Sequence, residues 1–413
     1  MDRLKSLHTV MLNSERCKGC VTCMKRCPTQ AIRVRNGKAS VIYDKCIGCG
    51  ECVRLCPHQA KIASYDKFEV INDFKYKIAL PAPSLYGQFN NLKDVNYVLT
   101  GLKRLGFDEV FEVGRGAELC SHATQVLLNK EVIKKPVIST ACPAVLELVY
   151  AKYKNLKDNL LKLLAPVDVA AKLAREGAIE KGIPEEDIGV FFISPCPAKV
   201  FALKAGIGVK KPLVDGVLAI SEVYMKLLPE MKKIEEPEKL SKMGVLGLNW
   251  AASSGEAIGA GRPKYLAADG IENVIDILNS IEDGSLSDVD FIELNACISG
   301  CVGGVLNVEN PFVARARLRG LRSKFPQTAN TLTDVGKSFD YYKWEEEPDY
   351  TSKSKPVEDR QQVFNKMLEI QNLYSTLPQS DCGLCGAPSC RAFCEDIVNG
   401  KIPKDSKCLM LDR

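Results

Sequence analysis

"ELNACISGCVGG", residues 293–304, ends a short apolar run, "VDFIELNAC", with two cysteines separated by three residues and followed by a pair of glycines. A continuous run of this length reads as a strand buried on both faces. Cys297 and Cys301 then stand where the strand ends, and Gly303 and Gly304 suit a loop folded tightly against a bulky inorganic group.

Two other strand-end loops have the same character. "STACPAV", residues 139–145, places Cys142 after "KPVIST"; "ISPCPAKVF", residues 193–201, places Cys196 after "IGVFFIS", with Lys199 three residues on. From about residue 75 to 370 short apolar strands alternate with amphipathic helices. "YKIALPAPS", "EVFEVG" and "MGVLGLN" read as further buried strands, while "LKDVNYVLTGLKRLG" and "PVDVAAKLAREGAIEKG" have helical periodicity. That order predicts an α/β domain, within a chain that is α+β overall, whose strands end at functional loops. Taken singly, each loop cysteine reads equally well as a small packed hydrophobe. Together Cys142, Cys196, Cys297 and Cys301 offer four thiolates from three separated loops, as a cluster buried inside a fold requires.

Upstream lies a tandem repeat. Cys17, Cys20, Cys23 and Cys27 before Pro28 give C-x2-C-x2-C-x3-C-P, and Cys46, Cys49, Cys52 and Cys56 before Pro57 give the same string 29 residues later. This is the two-cluster ferredoxin pattern, in which three cysteines wrap one cubane and the fourth crosses to the other. Cys17, Cys20, Cys23 and Cys56 are thus assigned to one [4Fe-4S] cluster, and Cys46, Cys49, Cys52 and Cys27 to a second. Between them "AIRVRNGKASVIYD" alternates and turns at Asn36-Gly37, as a hairpin should.

Downstream, the charged stretch "YYKWEEEPDYTSKSKPVEDR" reads as a linker into a helix, "QQVFNKMLEIQNLYSTL". Cys382, Cys385, Cys390 and Cys408 follow and suggest a third [4Fe-4S] site; Cys394 reads as a packed thiol. The expected domains are 1–72 (two-cluster ferredoxin-like), 73–370 (the α/β domain) and 371–413 (C-terminal iron-sulfur).

With 413 residues, 46% hydrophobic and 26% charged, the chain can build a large core and two or three domains. A net charge of +5 over 56 basic and 51 acidic residues is too mixed to favour nucleic acid or a membrane surface. No apolar stretch is long enough to span a membrane and the first residues lack a secretory core, so a cytoplasmic location is expected. Thiols stay reduced there, which favours metal binding over disulfides for the eighteen cysteines.

In these motifs the sequence resembles the [FeFe]-hydrogenases, over essentially its whole length. The family's signature loops have the forms T-S-C-C-P, M-P-C-x-x-K and E-x-M-x-C-x-x-G-C-x-x-G; here they read "STACP", "SPCPAK" and "ELNACISGCVGG". The resemblance implies an H-cluster domain. Cys142, Cys196, Cys297 and Cys301 would hold its [4Fe-4S] part, with Cys301 bridging to a di-iron subcluster that carries carbon monoxide, cyanide and a dithiolate amine. Lys199 would hydrogen-bond a cyanide; Ala82, Pro83 and Ser84 of "LPAPS" would contact one, and Trp250 and Ala251 would lie beside the dithiolate. Dedicated maturation enzymes would have to insert the di-iron unit.

The departures from that pattern are as informative. Ala141 stands where active members carry the cysteine that passes protons to the bridgehead amine, and a methyl group can neither donate nor accept a proton. Ser194 and Asn295 replace two methionines, which would alter the field around the di-iron unit. After "GRGAELC", residues 114–120, where active members carry acidic relay residues, the chain reads "SHATQVLLN". The pattern resembles the sensory hydrogenases. It implies slow reversible H2 oxidation and proton reduction, with electrons passing through the accessory clusters to a redox protein or signalling partner. A second reading stays open: an electron-transfer or iron-sulfur assembly protein with only [4Fe-4S] clusters. Homo-oligomerisation is also left open.

Overall fold

The dipeptide Asn36-Gly37 sets the first turn. In the computed structural model, which describes residues 7–348 and 359–411, these residues have φ of 51° and 70°. Two successive positive φ values are what a two-residue type I′ hairpin turn needs. Four short strands, β1 (Val10–Leu12), β2 (Ile32–Arg35), β3 (Lys38–Val41) and β4 (Lys61–Ala63), pair as β1–β4 and β2–β3, both antiparallel. Met24, Ile32, Ala39 and Ala60 form the small core beneath them, with Cys17 and Cys23 packed in it.

The end of the chain folds onto this repeat. Helices Arg360–Ser375 and Cys390–Val398 pack together through Leu373, Leu377, Phe393 and Ile397. The Val34 N–H donates to the Gly386 carbonyl at 2.9 Å, and Lys45 pairs with Glu395 at 3.0 Å. Lys25 donates to the carbonyls of Asp381 and Pro388. Buried Arg33 grips Asp396 through two nitrogens, at 2.5 and 3.1 Å, and Arg35 adds a third contact at 2.5 Å. Met1–Ala63 and Asp349–Arg413 therefore form one unit, and Ser64–Pro348 the other. Burial pushes the Asp396 carboxyl up, and the two guanidinium groups more than offset it, holding it below the usual range. Asp396→Ala would leave Arg33 buried and unpaired. The expected loss is about 3–5 kcal/mol in the stability of this unit, read by anaerobic thermal denaturation.

The second unit is α/β. Strands β5 (Tyr76–Pro81), β6 (Glu109–Val110), β8 (Ile188–Ser194) and β9 (Gly216–Ala219) form a parallel sheet in the order β6-β5-β8-β9. A second parallel sheet runs β10-β11-β7, with β7 Val137–Ile138, β10 Tyr265–Asp269 and β11 Phe291–Asn295. All seven residues of "IGVFFIS" are buried in β8, as a strand covered on both faces demands. Among the described residues no helix is long and apolar enough to cross a membrane.

Two expectations need correcting. "MGVLGLN" is not a strand: Val245–Asn249 is a helix. An apolar run this short fits either period. What decides is a close crossing with helix Val113–Lys130: a Cβ on Gly247 would lie 2.2 Å from the Gly114 carbonyl oxygen. The charged "linker" also begins too early. Tyr342 is fully buried and its carbonyl accepts from Leu164 N at 2.8 Å, while Trp344 packs against the core around Leu163 and Leu164. Of that stretch, 349–358 lie outside the described residues.

Candidate functional site

Four strands from the two sheets deliver their carboxyl ends to one place, where open α/β sheets bind ligands. After β5 come Ala82, Pro83 and Ser84, which begin a tight turn, Pro83–Gln88. Gln88 fastens it, donating to the Ser84 carbonyl at 2.8 Å and accepting from the N–H groups of Val308 and Glu309 at 3.0 and 2.9 Å. After β7 come Ser139, Ala141 and Cys142, and Pro143 opens helix Pro143–Lys152. After β8 comes Cys196, and Pro197 opens helix Pro197–Ala205 with Lys199 in its first turn. Proline at the first helical position, with its φ already set, fixes where each cysteine leaves its strand. After β11 come Cys297 and Cys301. A Cβ on Gly304 would lie 2.2 Å from the Pro195 carbonyl oxygen, so glycine lets the β11 loop close against the β8 loop.

These ends enclose a cavity with about 610 Å³ of non-atom space. Its walls are mostly apolar, from Ala82, Pro83, Ala141, Phe192, Trp250 and Ala251 among others. The polar groups facing it are Ser84, Lys199, Glu256, Glu293, Asn295 and, alone of the four loop cysteines, Cys301. Lys199 Nζ has two long contacts, 3.4 Å to the Ala141 carbonyl oxygen and 3.8 Å to Cys301 Sγ. Burial disfavours the Lys199 ammonium, but the charges of Cys301, Cys196, Cys142 and Cys297 overcome this and hold its pKa above the usual lysine value. Burial pushes the Cys196 thiol up to about 11 against the pull of Lys199. Ser84 Oγ is buried without a hydrogen-bond partner among the described residues.

The two residues that replace the family's methionines are placed differently. Ser194 does not line the cavity; its hydroxyl donates to the Cys196 carbonyl at 3.1 Å and accepts from Cys196 N–H at 3.3 Å. It braces the cysteine loop, because a short hydroxyl at a strand end reaches its own backbone before it reaches the cavity. Asn295 does face the cavity, but its amide donates to Glu293 at 2.6 Å.

Glu256 was not anticipated, and Glu293 was seen only as the first residue of the "ELNACISGCVGG" signature. Glu293 sits inside β11, held by Ser254 N–H (3.1 Å), Ala257 N–H (2.8 Å) and Asn295. Glu256 is bonded by Ser139 Oγ at 2.7 and 2.6 Å, and the same Oγ accepts from Ala141 N–H at 3.2 Å. Burial, then the adjacent Glu293 charge, push Glu256 well above the carboxylate range, so it holds a proton at neutral pH. Burial raises the Glu293 carboxyl as well, against the lowering pull of the N–H bonds it accepts from Ala257, Asn295 and Ser254. The visible signal was a carboxylate inside the apolar run "DFIEL". On another wall, Ser121 of "SHATQVLLN" accepts from the Trp250 indole at 2.8 Å, so this segment positions a wall of the cavity. Cys120 is fully packed, and burial pushes its thiol up.

In the first unit, one cavity of about 290 Å³ is lined by Cys17, Cys20, Cys23 and Cys56, together with His58 and Lys61. Another of about 360 Å³ is lined by Cys27, Cys46, Cys49 and Cys52. Each gathers three thiols from one string and one from the other. Near the chain end, Cys385 is pushed up by burial and by the charges of Cys382 and Cys408. Cys408 and Cys394 line one cavity, of about 650 Å³, which does not include Cys382, Cys385 or Cys390. Cys394 is fully buried.

The "Iron only hydrogenase large subunit, C-terminal domain" family matches residues 75–243 and 226–305. A "4Fe-4S dicluster domain" matches 9–57 and an Fe-S cluster domain matches 377–409. Iron hydrogenase 1 of Clostridium pasteurianum is 23% identical over 288 residues, 56% of this chain and 50% of that one, so the chain spans about half the length of that relative. Among solved structures, a variant of [FeFe]-hydrogenase HydA1 from Chlamydomonas reinhardtii aligns with 18% identity and a TM-score of 0.49, covering 68% of this chain and 92% of that one. A structure described as a step in [FeFe]-hydrogenase H-cluster assembly, HydA(deltaEFG), aligns with 16% identity and a TM-score of 0.47 at the same coverages. On the family match, which spans more than half of its length, the chain belongs to the [FeFe]-hydrogenase family.

Proposed function

We propose that the protein is a sensory [FeFe]-hydrogenase: it oxidises H2 and reduces protons slowly and reversibly, and passes electrons through accessory [4Fe-4S] clusters. The observation that carries this is a largely apolar cavity presenting one thiol, Cys301, an under-satisfied ammonium, Lys199, and an orphaned hydroxyl, Ser84. A packed core would not retain such groups, since unpaired buried polar atoms are costly; anionic cyanide would satisfy both. This favours the hydrogenase reading over a protein with [4Fe-4S] clusters alone.

The di-iron unit, when bound, supplies the splitting of H2 and its reverse. Cys301 would join it to the [4Fe-4S] cluster that Cys142, Cys196 and Cys297 also hold. Lys199 Nζ and Ser84 Oγ would orient it, and the apolar walls would exclude water. The Ala141 methyl cannot carry a proton, so protons must enter by another wall. Glu256 would hold one on its carboxyl, with Ser139 Oγ bonding it beside Ala141. Cys17, Cys20, Cys23 and Cys56, then Cys27, Cys46, Cys49 and Cys52, and then Cys382, Cys385, Cys390 and Cys408 would hold the accessory clusters. A separate redox or signalling protein would receive the electrons.

Iron content after anaerobic maturation tests this. Four [4Fe-4S] clusters carry about sixteen irons and the di-iron unit brings the total to about eighteen; a matured chain that stops at sixteen would favour the electron-transfer or assembly reading. Ala141→Cys adds a thiol without rebuilding the acidic segment beyond it. H2 evolution, followed by gas chromatography, should rise by less than about 10²-fold. A gain at or above that, within the range of a complete acid-base contribution, would mean that the rest of the route is intact.

A further inference from the structure

The tandem repeat contains its own control. Counted from the last cysteine of each string, Cys27-Pro28-Thr29-Gln30-Ala31-Ile32 aligns with Cys56-Pro57-His58-Gln59-Ala60-Lys61. An isoleucine in one copy is therefore a lysine in the other. Each residue begins a strand, Ile32 in β2 and Lys61 in β4. Both are buried, at 2% and 3% exposure. Ile32 lines the cavity of Cys27, Cys46, Cys49 and Cys52; Lys61 lines that of Cys17, Cys20, Cys23 and Cys56.

Lys61 Nζ is shut away from solvent and has no hydrogen-bond partner among the described residues. A buried, unpaired ammonium is strongly unfavourable, so its retention calls for negative charge opposite it. The cavity supplies that in its four thiols.

We propose that Lys61 sets the reduction potential of the cluster held by Cys17, Cys20, Cys23 and Cys56, making it the preferred resting place of the electron within the N-terminal pair. This rests on the reading that the eight cysteines hold two [4Fe-4S] clusters. Reduction adds one electron and one negative charge to a cluster, with no proton. A fixed cation in a low-dielectric wall stabilises the reduced form and raises the potential. The electron comes from the twin cluster, which is oxidised by one; Ile32 gives that twin no comparable charge. The pair is therefore biased in direction.

The test is an EPR-monitored redox titration of the full-length chain after anaerobic cluster reconstitution, with dithionite as reductant and iron counted per chain. The parent should show two N-terminal potentials at least a factor of ten apart in reduced-to-oxidised ratio at a common poise, about 59 mV for one electron. Lys61→Ile, which copies Ile32, should lower the upper potential and narrow the gap; Lys61→Met does the same if isoleucine packs poorly. Lys61→Arg, which keeps the charge, should restore it. Apolar variants with full iron content and unchanged potentials would overturn the proposal. A parent chain that takes up no N-terminal clusters would instead overturn the reading beneath it.

Discussion

Replacing Glu256 with glutamine is expected to slow H2 turnover by about 10²-fold or more, the contribution of a positioned acid-base group. Glutamine keeps an oxygen for Ser139 and a similar volume, so the cavity should hold its shape while losing a proton that can move. Stability should change the other way. The folded Glu256 retains its proton above the pH at which the unfolded chain, with a carboxyl pKa of about 4.3, has released it. Through that window the unfolded chain binds fewer protons, so this residue makes stability fall as pH rises. Glu256→Gln removes the penalty. Its Tm should exceed the parent's at about pH 8 and match it near pH 3, where both states of the parent are protonated. A variant with lower turnover and lower Tm at alkaline pH would mean a merely structural role.

Cys301→Ala should abolish H2 turnover, because Cys301 alone among the loop cysteines faces the cavity. On the proposed assignment the accessory clusters would be held by the other unit's cysteines, so their EPR signals should persist at parental intensity after reduction. Lys199 should respond as well. With one thiolate gone, its pKa loses the largest of the charges that raise it, and its ammonium is left with fewer partners. Retained turnover in Cys301→Ala would contradict the assignment of this cavity to the di-iron unit.

Much of the fold was legible because its signals are local. Asn36-Gly37 fixes a hairpin through two φ values, and the cysteine strings fix which thiols share a cavity through spacing alone. Loop cysteines after apolar runs revealed where strands end. What stayed hidden depends on contacts between distant residues. "MGVLGLN" became a helix because Gly247 meets Gly114, which no window of periodicity contains. Strands β9 and β10 lay in "GVLA" and "YLAAD", too short to stand out. The docking of Asp396 on Arg33 and Arg35 joins residues more than 350 positions apart. At the site, Ser194 and Asn295 were noticed as substitutions, but the sequence could not say that one turns to its own backbone and the other to Glu293. Glu256 escaped notice because it becomes a cavity residue only when Ser139 and Glu293 close around it.

The infrared spectrum of the anaerobically matured chain tests the hydrogenase reading most directly. The expected result is a set of bands from bound carbon monoxide and cyanide, shifted by Lys199→Ala and absent from Cys301→Ala. A matured chain with its [4Fe-4S] clusters complete and no such bands would contradict it.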